Sequence, residues 1–119
     1  MSEIDPRSLL PLTHLSYQVL LALADEVRHG YGIIKEVRDR TGGEMELETG
    51  TLYTALKRLT DEGLIAIVAP DERPPGQDDR RRFYKLTRLG TEVLVAESRR
   101  LAALVGVAVE KCVLPEMPA

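Results

Sequence analysis

The chain has 119 residues, 44% apolar and 29% charged, with a formal net charge of −3 and a single cysteine. That length suits one domain with a modest core, and the lone Cys112 excludes an internally disulfide-stapled secreted scaffold, pointing to a reducing, cytoplasmic setting. The N-terminal MSEIDPRSLLPLT carries acids and prolines where a signal peptide needs a basic patch and an apolar run. The longest apolar stretch, Leu101 to Val109, is too short to span a bilayer, so the sequence predicts a soluble protein without a membrane partner.

In chain order, residues 1–12 read as an extended N-terminal arm in which Pro6 and Pro11 block helix. Thr13 is an N-cap residue, and Leu15, Val19, Leu20, Leu23 and Val27 recur at helical spacing. His29-Gly30 reads as the stop of this first helix, with Gly30 in the left-handed conformation common past a helix end and His29 capping carbonyls. A second helix is predicted from Tyr31 to Arg40, with Ile33, Ile34 and Val37 inward and Thr41-Gly42-Gly43 ending it. Glu44 to Glu48 alternates acid and apolar, the signal of a short half-buried strand. Thr49 is expected to cap a third helix running to Glu62, which Gly63 stops. Leu64 to Ala69 reads as a strand, and residues 70–79 (PDERPPGQDD) as a loop. Arg80 to Leu86 then returns to close a β-hairpin. Thr87 caps a last long helix that Pro115 ends. The predicted fold is therefore mostly α with a small β-hairpin. It comprises an arm (1–12), a winged helix-turn-helix domain (13–86) and a long C-terminal dimerisation helix (87–114).

Thr49 to Ile65 reads TGTLYTALKRLTDEGLI. At helical spacing Leu52, Ala55, Leu56 and Leu59 fall on one face, which is the core face. Opposite lie Gly50, Tyr53, Thr54 and Lys57, flanked by Arg58. Small, hydroxyl, aromatic and basic groups of this kind can enter a DNA major groove and meet phosphates, base edges and thymine methyls. Any exposed helix face holds such residues, so it is the preceding short helix and the basic hairpin that favour nucleic acid. Charge placement matters more here than its sum. Acids gather in Glu44, Glu46 and Glu48 and at the loop tip. Cations form two clusters, Lys57 with Arg58, and Arg80, Arg81 and Arg82 with Lys85. The arginine cluster reads either as a phosphate contact or as a solvated run paired with Asp78 and Asp79.

Three motifs then fall in register: His29-Gly30-Tyr31-Gly32-Ile33; Gly50-Thr51-Leu52-Tyr53 with Leu56, Leu59 and Gly63-Leu64-Ile65; and Arg81-Arg82-Phe83-Tyr84-Lys85-Leu86-Thr87 followed by Gly90. Together, over residues 12–105, the chain resembles the PadR family of regulators, in its short form with a single C-terminal helix. The resemblance implies a winged-helix homodimer, usually a repressor, binding double-stranded DNA at a palindromic operator. It places Thr49, Thr51, Tyr53, Thr54 and Lys57 on the recognition helix and Arg80 to Arg82 on the wing. Tyr53 keeps a second reading, packing against the second helix. The resemblance also allows a small-molecule effector. Relatives that resemble multidrug sensors hold flat ligands between tryptophans, and this chain has none.

Leu101 to Val109 (LAALVGVAV) carries no charge on any face. Such a helix needs cover on more than one side, so Leu101, Leu104, Val105 and Ala108 are assigned to a dimer interface, with Gly106 permitting close approach. His14 and His29 lack partners at zinc spacing, so no metal or cofactor is expected. Cys112 reads as a packed or partly exposed thiol. Thr49-Gly50-Thr51 lacks the glycines and lysine of a phosphate-binding loop, and neither Ser16 nor Ser98 sits in a nucleophile elbow, so no enzyme is expected. The competing readings are a winged helix serving only as a protein-interaction module, which the acidic balance favours, and a multiple-antibiotic-resistance type regulator, whose flanking helices are longer.

Overall fold

The computed structural model describes residues 4–76 and 81–116. Helix α1 (His14–Ala22) is followed by strand β1 (Arg28–His29), helices α2 (Gly30–Arg40) and α3 (Thr49–Asp61), strands β2 (Ile65–Ile67) and β3 (Phe83–Leu86), and helix α4 (Arg88–Glu110). The strands form an antiparallel sheet in the order β1-β3-β2, with Arg28 opposite Tyr84 and Ile65 opposite Leu86. One core joins Val19 and Leu20 of α1, Ile33 and Val37 of α2, Leu52, Leu56 and Leu59 of α3, Leu64 and Ile65, and Val93 of α4. This is the winged helix expected from the element order, built on a three-stranded sheet rather than a bare hairpin. Among the described residues no helix is long and apolar enough to cross a membrane.

The first helix is shorter than its periodicity suggests. It ends at Ala22, whose carbonyl accepts from Arg28 Nε at 2.7 Å. Leu23 is buried there, but Arg28 and His29 pair with β3 instead of continuing the helix. Gly30 is therefore not a helix stop. It is the first residue of α2, and His29 is the N-cap, its Nδ1 accepting from Gly32 N. Gly42 and Gly43, at φ 64° and 86°, do end α2 in the left-handed region that glycine tolerates.

Other boundaries also move. Glu44 to Glu48 forms no strand, and none of the described strands pairs with it. Its alternation nonetheless reports burial, with Leu47 inside and the three glutamates exposed. Glu48 rather than Thr49 is the N-cap of α3, without a side-chain bond. The last strand starts at Phe83, so Arg81 and Arg82 precede it. Arg80, Asp78 and Asp79 lie outside the described residues. The arm is not wholly extended: Pro6–Leu9 makes a 3-10 turn capped by Asp5, with proline at a position that suits it. Helix α4 stops at Glu110, before Pro115. Cys112 takes φ 62°, while Cys112 N and Val113 N donate to Val109 O and Ala108 O, closing a Schellman turn.

Thr87 is the predicted cap of α4: its Oγ1 accepts from Gly90 N at 3.0 Å and donates to Gly63 O at 2.6 Å. The sequence gives no warning of Glu97, a carboxylate only 1% exposed. Leu12 N donates to its Oε2 at 2.8 Å, and Arg100 pairs with both oxygens. Arg100, and then the Leu12 amide, hold this carboxyl below its usual range against the opposing effect of burial. Glu97 thereby ties the N-terminal arm to α4.

Candidate nucleic-acid interface

Helix α3 presents two opposite faces, as its spacing requires. Leu52, Ala55, Leu56 and Leu59 are buried, while Thr49, Gly50, Thr51, Tyr53, Thr54, Lys57 and Arg58 are exposed. The buried face fixes how the exposed one is aimed. Thr54 Oγ1 donates back to Gly50 O at 3.0 Å, a bond within the same exposed face. Lys57 pairs with Asp61 at 3.0 Å across one helical turn. An exposed pair of this kind contributes about 0.5 kcal/mol or less, so Lys57 gives it up readily to a phosphate. Arg58 Nη2 donates to the buried Ser16 Oγ at 2.6 Å, which pins α3 against α1.

Tyr53 combines the two readings open to it. It is 47% exposed, yet its hydroxyl lies over Gly30 at the start of α2, where a Cβ would be 2.4 Å from the phenol oxygen. Glycine at this position leaves room for the phenol. The structure also brings Tyr53 together with Arg81 and Arg82. These three line a groove of about 560 Å³ with His29, Tyr31 and Tyr84, at the junction of α2, α3 and the wing. Burial pushes the Tyr84 phenol up, against the opposing charge of Arg82. His29, Tyr31 and Tyr84 are not among the residues singled out for this site from the sequence. Their common location depends on β1 pairing with β3, and only the closeness of His29 and Tyr31 within one motif hints at it.

The residues assigned to a dimer contact form one stripe on α4 at spacings of three and four. Val93, Leu94 and Glu97 are buried within the chain at the start of that stripe. Its continuation through Leu101, Leu104, Val105 and Ala108 is only partly covered, with Leu104 55% exposed. The Cα radius of gyration, 15.9 Å, exceeds the roughly 13.5 Å of a compact chain of this length, in keeping with a helix that outruns its own core.

A helix pair, α2 and α3, followed by the antiparallel pair β2 and β3 of a three-stranded sheet defines a winged helix-turn-helix protein. The chain belongs to the PadR-like family of transcriptional regulators, whose family model matches residues 19–96. A PadR family transcription regulator from Clostridium difficile R20291 superposes with a TM-score of 0.69 at 29% identity, covering 84% of this chain and 99% of that one. Bacillus subtilis PadR, solved in complex with operator DNA, superposes at 0.59 with 27% identity, covering 71% of this chain but only 46% of that one. An uncharacterised protein X of Lysinibacillus sphaericus is 30% identical over 81 residues, 68% of this chain and 72% of that one. The family and these solved neighbours are regulators rather than enzymes.

Proposed function

We propose that this chain is a homodimeric, DNA-binding repressor that acts in the cytoplasm and reads a palindromic operator. Residues 13–86 form the DNA-binding domain, and the segment 87–114, which holds α4 (Arg88–Glu110), carries the dimer contact. The carrying observation is the exposed face of α3, where Gly50, Thr51, Tyr53, Thr54 and Lys57 stand opposite a face locked into the core. In this reading α3 enters the major groove, where Thr51 and Thr54 meet base edges. Lys57 and Arg58 then reach flanking phosphates, and Arg80, Arg81 and Arg82 lie along the backbone. The operator complex of the Bacillus subtilis neighbour supports this use of the fold. The α4 stripe of Leu101, Leu104, Val105 and Ala108, covered by a second copy, sets two α3 helices at a fixed spacing, which is what a two-fold symmetric site requires.

The test is selection of genomic fragments by the purified protein, followed by titration of an enriched duplex at two salt concentrations. Affinity is expected to fall steeply with salt, and Lys57→Ala to reduce the logarithmic slope by about one phosphate contact while the melting temperature holds. Failure to enrich any fragment, or salt-insensitive binding, would favour a protein-interaction module instead.

A further inference from the structure

In the groove at the base of the wing the Nε2 nitrogen of His29 and a guanidinium nitrogen of Arg81 lie 2.9 Å apart. Gly32 N donates to His29 Nδ1 at 2.9 Å, so that nitrogen carries no proton. Burial, and then the charge of Arg81, hold His29 below the usual imidazole range, leaving the ring neutral near pH 7 with its proton on Nε2. Arg81 Nη1 lies 2.9 Å from that same Nε2. A guanidinium has donors only, so two N–H groups converge there. The ring is held in plane by the cap, by edge contact with Phe83 (centroids 5.1 Å apart) and by stacking on Tyr31. Arg82 and the phenols of Tyr31, Tyr53 and Tyr84 complete the wall, and among the described residues none that lines it is a carboxylate.

We propose that this groove is a phosphate-oxygen site, in which one backbone phosphate of bound DNA accepts from His29 Nε2 and Arg81 together. The inference rests on the DNA-binding reading and extends it from α3 and the arginines to the start of α2. An oxygen that only accepts is what two converging donors lack, and the guanidiniums of Arg81 and Arg82 supply the matching charge. Because Tyr53 of α3 lines the same groove, the captured phosphate flanks the helix that enters the major groove. His29 thus has two roles, since one ring nitrogen caps α2 and the other contacts DNA.

The experiment uses the full chain and a duplex it has enriched, with single phosphates replaced by uncharged methylphosphonates. In the wild type one position per half-site is expected to cost about tenfold in affinity, as for loss of a hydrogen-bonded charge. In His29→Ser and Arg81→Ala the same replacement is expected to cost no more than about twofold, because its partner is already gone. Serine retains an oxygen to cap Gly32 N, so α2 is preserved. In parallel, inorganic phosphate is titrated against the DNA-free protein while the His29 ring is followed by NMR. Saturable shifts are expected in the wild type and not in Arg81→Ala. A wild type that binds the duplex with no phosphate position coupled to His29 and Arg81 overturns the groove and leaves the regulator reading standing. A wild type that binds no duplex but shows the phosphate shifts overturns DNA as the source and supports the phosphate chemistry. Absence of both coupling and shifts overturns the proposal.

Discussion

Replacing Gly90 with alanine adds one methyl group in the first turn of α4, where it meets backbone rather than open space. A Cβ at this position would be 1.9 Å from Leu64 O and 2.9 Å from Leu64 C. Ordinary carbon–oxygen contact begins near about 3.3 Å, so helix and strand must separate by more than about 1 Å. Leu64 O is also the acceptor for Thr87 N at 3.1 Å, and Thr87 is the cap that bonds Gly63 O. Separation therefore strains the cap along with the packing. Overpacking costs about 1–3 kcal/mol, and the weakened backbone bond about 1 kcal/mol. Alanine's helix propensity returns at most about 1 kcal/mol. The net expectation is a loss of about 1–4 kcal/mol, or roughly 5–15 °C in melting temperature at fixed protein concentration. Gly30→Ala is the comparison, because there the neighbour is the phenol end of Tyr53, which can rotate outward. It is expected to stay within about 1 kcal/mol of wild type. Thermal unfolding followed by circular dichroism reads both variants. A Gly90→Ala protein as stable as wild type would refute the close approach of α4 to Leu64 on which this reasoning depends.

Leu104→Asp is expected to give a folded monomer by light scattering. The residue is exposed within one chain, and an unpaired carboxylate in a closed interface costs about 3 kcal/mol or more. A variant that stays dimeric would place the partner elsewhere. Glu97→Gln keeps the shape of the clamp but removes its charge, and is expected to cost about 1–2 kcal/mol. The Glu97 carboxyl titrates below its usual value, so its contribution is present above the ordinary carboxylate range and is lost as pH falls through the folded value. Urea titrations at neutral and acid pH should show the wild-type advantage shrinking; an advantage that grows on acidification would contradict the assignment. His29 is likewise depressed from 6.5, so the unfolded chain takes the proton first and the neutral cap stabilises fully only above about that pH. The stability difference between wild type and His29→Ser should narrow as pH falls from 7 to 5, and a difference that widens would be inconsistent with a neutral cap.

What could be read from the sequence was what one element decides alone. The periodicity of Leu52, Ala55, Leu56 and Leu59 fixes which face of α3 is buried, and with it the exposed face of Thr51, Thr54 and Lys57. The caps by Thr13 and Thr87 are likewise local, each hydroxyl accepting from an amide three residues on. What could not be read depends on partners distant in the chain. Arg28 and His29 are strand only because Tyr84 and Phe83 lie opposite, and without that pairing His29-Gly30 looks like a helix end. Glu44 to Glu48 is the converse case, strand-like in alternation but with no partner among the described strands. Glu97 looks like any glutamate in a charge-mixed helical half until the arm places the Leu12 amide on it. The two parts of the candidate interface divide along the same line. The α3 face is specified within one helix, so substitutions at Thr54 or Lys57 alter contacts without disturbing the frame. The wing-base groove is assembled from three elements, and a change at His29 acts at once on the cap of α2 and on the position of Arg81.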